Sequence, residues 1–132
     1  MQPADLEALW KQKRVQTAKL REVSQLTIQM AQAADRNDET SVTLLLSMRA
    51  EPLRELTEME DSLRAGLLLL PEEEAIRGRE LLDGSPAADA AEEELCQQVG
   101  QYRRLLESTL ELDRRISLSI GGQRSFYHTF RE

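Results

Sequence analysis

Aromatic side chains are scarce in this chain of 132 residues, with two Phe, two Tyr and one Trp. Val and Ile are also few, and that shortage argues against a sheet, whose strands favour β-branched and aromatic residues. Cys96 is the only cysteine, so no internal disulfide can form and a reducing, intracellular setting is expected. The longest apolar run, Leu67 to Leu70, is far too short to cross a membrane. The first residues, Met1-Gln-Pro-Ala-Asp5, lack the charged and apolar regions of a signal peptide, which adds to the expectation of a soluble cytoplasmic protein. Positive charge is in deficit: the net charge of −7 speaks against general affinity for nucleic acid or anionic lipid.

Catalytic and metal-binding patterns are missing as well. His128 is the one histidine and sits near the end of the chain, far in sequence from Cys96, so no nucleophile–histidine pair is marked. No Glu-x-x-His occurs, which leaves the di-iron carboxylate site of helical bundles unsupported. Glu72–Glu74 and Glu92–Glu94 read as helix-start carboxylates, and Gly121-Gly122 closes a helix where a phosphate loop would open one. No cofactor, metal or catalytic residue is assigned.

What is abundant is Leu, Ala, Glu, Arg and Gln, the composition of long helices or a coiled coil. From Pro3 to Arg36 no Gly or Pro intervenes, and Leu9, Lys13, Gln16, Leu20, Val23, Thr27, Met30 and Ala34 follow the alternating four- and three-residue steps of a helix seam. Polar Lys13, Gln16 and Thr27 weaken that seam, and its first half is expected to be wet or partner-facing. Trp10 would cap that end. Asn37 to Ser41 reads as a tight turn. A second helix follows, with Leu45, Leu46, Leu53, Leu56, Met59, Leu63, Leu67 and Leu70 on its apolar face. Pro52 inside it predicts either a kink or two helices, one ending near Arg49 and one beginning at Pro52. Pro71-Glu-Glu-Glu74 starts a short helix that ends near Leu82, before Asp83-Gly-Ser-Pro86. Ala87 to Ile120 is predicted as a third long helix, with its seam on Leu95, Val99, Tyr102, Leu106, Thr109, Asp113, Ile116 and Ile120.

The expected fold is therefore all-α: an elongated antiparallel bundle or coiled coil of three long helices plus one short helix, residues 1–120, followed by a tail, residues 121–132. That tail holds Phe126, Tyr127 and Phe130, so both phenylalanines fall within the last seven residues. Rings so placed either dock on a partner or fold back to plug the bundle. Charge is unevenly spread. Residues 37–94 carry five basic and sixteen acidic groups, while each flanking segment carries six basic and four acidic, which suits an acidic middle packed between basic outer helices. Arg103-Arg104 and Arg114-Arg115, eleven residues apart, return to one helix face; Glu111 stands four before Arg115 as a local partner.

The segment Leu105-Leu-Glu-Ser-Thr-Leu-Glu-Leu-Asp-Arg-Arg-Ile-Ser-Leu-Ser-Ile-Gly-Gly122, with Tyr127 soon after, is similar to the C-terminal region of FlgN-type flagellar export chaperones. The first half, with Leu44-Leu-Leu-Ser-Met-Arg49 after an Asp-rich turn, also resembles FlgN-type and the related FliT-type chaperones. The asparagine often found near the start of that family's C-terminal motif has no counterpart here. The resemblance implies a small cytoplasmic chaperone of flagellar type III secretion. It would hold hook-associated or cap proteins through their C-terminal helical segments, without enzymatic activity, membrane insertion or nucleic-acid binding, and is compatible with a homodimer. The family's partner-binding positions would fall on Leu106, Leu110, Ile116, Ile120 and Tyr127; the aromatic argument adds Phe126 and Phe130. The alternative from another class is a coiled-coil assembly or adaptor protein. A remote one is chorismate mutase, whose Asp-Arg-containing helices Leu110 to Ile116 superficially resembles; no second matching motif accompanies it.

Overall fold

The computed structural model describes residues 1–119, so the expectations placed on Ile120 and on the tail lie outside the described residues. Four helices account for the fold: α1 (Pro3–Asp35), α2 (Glu39–Leu67), α3 (Glu72–Leu82) and α4 (Glu93–Ser119). No strand occurs among the described residues, and the all-α bundle of three long helices and a short one is what the sequence pattern predicts. None of the helices among these residues is long and apolar enough to cross a membrane.

The turn between α1 and α2 follows from local chemistry. Asn37 sits at φ 58°, a left-handed conformation that Asn tolerates better than most residues. It allows the Asp38 N–H to reach the Ala33 carbonyl at 2.9 Å and the Asn37 N–H to reach that of Ala34 at 3.0 Å, closing α1. Asp38 then caps α2, its Oδ1 accepting from the Ser41 N–H at 3.0 Å. Those bonds hold the Asp38 carboxyl below its usual range, first through the Ser41 hydroxyl and then through the Ser41 backbone.

Two boundaries differ from expectation. Helix α2 runs unbroken through Pro52 and stops at Leu67, which excludes the reading as two helices. Pro52 is buried on this helix, so packing of its ring offsets the backbone donor it removes. Helix α4 begins at Glu93, not Ala87. Asp89 is extended and its carboxylate accepts from the Glu92 N–H at 3.1 Å, so a 3₁₀ turn over Ala90–Glu92 precedes the helix. Arg77 of α3 holds that turn through Glu92 at 2.6 Å and the Pro86 carbonyl at 3.1 Å.

The core divides into three apolar layers along the bundle. At the α3 end, Leu6 and Leu9 of α1 meet Leu63 and Leu67 of α2, Leu81 and Leu82 of α3, and Leu95 and Val99 of α4. Trp10 packs partly buried against this layer, as expected of an end cap. In the middle, Leu20 and Val23 pack with Leu56 and Tyr102. At the far end, Met30, Ala31, Ala33 and Ala34 enclose Val42 and Ile116. These layers set α2 antiparallel to α1 and α4 parallel to α1. Helix α3 lies so close to α2 that a Cβ on Gly78 would stand 2.6 Å from a methyl of Leu67.

The expectation of a wet first half of the α1 seam is overturned. Lys13, Gln16 and Thr27 are 2%, 1% and 0% exposed. Each meets a polar residue from another helix at the same level, so what weakens the apolar seam is a built polar layer. Hydrogen bonding to such partners is what makes polar burial tolerable.

Candidate functional site

Helix α1 packs along both α2 and α4, yet among the described residues no Cα of α2 comes within 8 Å of a Cα of α4. Directly packed helices stand 8–10 Å apart axis to axis and bring many Cα pairs closer than that. Helices α2 and α4 therefore flank a slot whose floor is α1. Part of this slot is a cleft of about 350 Å³ with Lys13 at the bottom, Glu60 and Arg64 on the α2 wall, and Tyr102, Arg103, Leu106, Glu107 and Leu110 on the α4 wall. Leu82 and Asp83 close its end.

The floor is the first polar layer. The Lys13 ammonium donates to Gln16 Oε1 at 2.8 Å, stands 3.6 Å from Glu60 Oε2 and lies 3.9 Å above the Tyr102 ring centre. Burial pushes the Lys13 pKa down against the opposing pull of Glu60. For Glu60 burial pushes the other way, but Lys13, a 2.6 Å hydrogen bond from Gln16 and Arg64 outweigh it and hold the carboxyl below its ordinary value. Burial raises the Tyr102 phenol well above its usual value, so it stays protonated at neutral pH.

The second polar layer lies toward the other end. Arg49 of α2 and Asp113 of α4, 0% and 1% exposed, form an ion pair at 3.1 Å. The same Arg49 nitrogen donates to Thr27 Oγ1 at 3.1 Å, which ties all three long helices at one level. The pair thus links α2 to α4 across the slot at a level sealed from solvent.

At the α3 end a turn does similar work in a wetter setting. Asp83 accepts from Arg64 of α2 at 3.0 Å through its side chain and from Arg103 of α4 at 2.8 Å through its carbonyl. Gly84 follows at φ +106°, a conformation that side chains disfavour.

Two of the positions singled out in the sequence, Leu106 and Leu110, line the cleft and are half-buried. Ile116 is placed elsewhere: it is buried, 3% exposed, in the far apolar layer and does not line the cleft. The arginine stripe is partly absorbed within the chain, Arg103 by Asp83 and Arg115 by Asp35 at 3.9 Å. Glu111 pairs with Arg114 at 2.8 Å and not with Arg115 as its spacing suggested. Cys96 is half-buried, its Sγ 3.5 Å from the Ser85 carbonyl, and burial raises its pKa, so the thiolate is disfavoured.

The sequence reading missed Lys13, Glu60, Arg64 and Tyr102 as parts of one site. A signal for two of them existed: Lys13 and Tyr102 stand on predicted seam positions, where a charged or hydroxylated side chain needs a partner. The chain matches no protein-family model, no curated protein and no solved structure.

Proposed function

We propose that the slot between α2 and α4 receives an amphipathic helical segment of another protein, and that the chain acts as a cytoplasmic export chaperone of the flagellar type III kind. The observation that carries this reading is the separation of α2 from α4 on α1, with the half-exposed leucines Leu106 and Leu110 between them. A helix laid in such a groove buries its anchors at i, i+3, i+4 and i+7 spacing against leucines of the wall. Ordering the segment on binding costs free energy and keeps affinity moderate, which suits a cargo that must be released. The resemblance of residues 105–122 to FlgN-type chaperones supplies the cargo class: hook-associated or cap proteins, through their C-terminal helices.

The cleft's charges argue against the enzymatic alternative. Lys13, Arg64 and Arg103 face Glu60, Asp83 and Glu107, so the lining has no surplus of positive charge for a dianionic substrate such as chorismate.

Titration calorimetry of the full chain against C-terminal peptides of hook-associated and cap proteins tests the reading. Binding in the micromolar range, weakened at least tenfold by the pair L106A/L110A with helix content unchanged, supports it. No heat with any of these peptides, together with a tight oligomer, sinks it in favour of an assembly or adaptor protein.

A further inference from the structure

Most of the polar groups that line the cleft are committed within the chain. Lys13 is bound to Gln16 and Glu60, Arg64 to Glu60 and Asp83, and Arg103 to the Asp83 carbonyl. Two are not. Among the described residues neither the Tyr102 hydroxyl nor the Glu107 carboxylate has a hydrogen bond or an ion pair, and both residues line the cleft. Glu107 is exposed at the rim. Tyr102 is 7% exposed, its ring held below the Lys13 ammonium and against Leu20, Val23 and Leu56. A phenol kept protonated by burial has one hydrogen to donate, and a carboxylate has only lone pairs to offer. An open cleft lets water serve both groups. A ligand that closes it must serve them itself, because a polar group sealed without a partner opposes binding.

We propose that the cleft reads a carboxamide on the incoming segment, a Gln or Asn whose carbonyl accepts from the Tyr102 hydroxyl and whose NH₂ group donates to Glu107. This rests on the reading of the slot as a helix groove and adds what the partner must carry. The two complementary groups make the choice. A Lys at that position serves Glu107 but leaves Tyr102 without an acceptor. A Glu serves Tyr102 but is repelled by Glu107, and a Leu serves neither. Net charge offers no competing preference: Lys13, Arg64 and Arg103 balance Glu60, Asp83 and Glu107, so a charged side chain is desolvated there without a favourable field. Tyr102 and Glu107 are five residues apart on α4, a rise of about 7.5 Å, which a carboxamide with a hydrogen bond at each end can span. Tyr102, Leu106 and Leu110 follow one another at one-turn intervals on one helix face. The carboxamide therefore stands one turn beyond the apolar anchors that meet Leu106 and Leu110, before or after them according to the direction of the partner chain.

Titration calorimetry of the full chain against end-blocked amphipathic model peptides tests it. Each peptide has about 18 residues, enough to form a helix in isolation, with a leucine stripe and one guest position a turn before or after it. The guest is Gln, Leu, Glu or Lys. The chain should bind the Gln peptide about fivefold more tightly than the other three, the scale of one or two net hydrogen bonds. In Y102F the advantage of Gln over Leu should fall below about twofold, while affinity for the Leu peptide holds. That hydroxyl has no bond to lose in the free protein, so the melting temperature of Y102F should match the parent's. L106A/L110A should weaken all four peptides alike. A parent without preference for Gln, or a preference that Y102F leaves intact, overturns this inference and leaves the groove standing. Failure of all four peptides to bind, or binding indifferent to L106A/L110A, overturns the groove reading and this inference together.

Discussion

Replacing Lys13 should do less harm than replacing its carboxylate partner, although both residues belong to one polar layer. The Lys13 side chain is 3% exposed, and its ammonium has three neighbours: a neutral oxygen at 2.8 Å, a ring face at 3.9 Å and Glu60 at 3.6 Å. Only Glu60 offsets its charge. At 3.6 Å and an effective dielectric constant of about 20 the gross attraction is about 5 kcal/mol. Glu60 is less dependent, being one third exposed and holding Arg64 at 3.0 Å and Gln16 at 2.6 Å as well. E60Q therefore strands a buried ammonium and should lose about 2 kcal/mol, less than a fully buried pair because water reaches Glu60. K13M removes the desolvated charge and keeps the volume; the gain is set against an unpaired Gln16 oxygen, so its stability should lie between that of the parent and about 1 kcal/mol above it. The two variants should differ in melting temperature by about 8–12 °C, at roughly 4 °C per kcal/mol for a chain of this size. Urea unfolding followed by circular dichroism reads both. K13M losing 2 kcal/mol or more while E60Q stays near the parent would refute the account of a buried charge rescued by Glu60.

The same layer sets an acid limit. Because the Glu60 pKa is lowered on folding from 4.5, the stability it contributes is present above that value and is lost as pH falls through the folded pKa. Unfolding free energies measured from pH 7 to 3 should fall less steeply in E60Q than in the parent. In the second layer, D113A removes the carboxylate that stands 3.1 Å from the buried Arg49 and should cost about 2 kcal/mol, as measured by the same denaturant titrations. N37G should stabilise by about 0.5–1 kcal/mol, since glycine adopts φ near +58° without strain; a drop in denaturation midpoint would count against the left-handed cap. G84A should destabilise by about 1 kcal/mol or more, seen as a lower melting temperature, because Gly84 sits at φ +106°.

The helices were legible wherever a repeating apolar seam coincided with punctuation. Leu9 through Ala34 marks the buried face of α1 position by position, and Asn37-Asp38 ends one helix and caps the next. Boundaries failed where two local signals competed. Ala87 to Asp89 has helix-forming composition, but Asp89 preferred to cap the following turn, and at Pro52 burial on an otherwise continuous helix outweighed the lost backbone donor. The polar layers were hidden for a different reason. Lys13 and Glu60, or Arg49 and Asp113, look like interruptions when each helix is read alone; only the register between helices turns them into pairs. Of the candidate site, Leu106 was found from the seam and the resemblance and Leu110 from the resemblance, while their neighbours Glu60, Arg64 and Asp83 come from separate stretches of chain and share no motif.

The slot is secured at both ends, and the two fastenings are unequal. Arg49–Asp113 is sealed from solvent, whereas Arg64 and Asp83 are 36% and 60% exposed, and surface pairs of that kind contribute about 0–1 kcal/mol and weaken with salt. The polar ties of α2 and α4 thus differ in their response to salt, although the apolar layer of Leu63, Leu67, Leu95 and Val99 holds the α3 end together whatever the ionic strength. Leu106 and Leu110 of α4 line the cleft between these two ties, so a rise in ionic strength weakens the Arg64–Asp83 contact at its outer end and leaves the buried pair at the other end untouched.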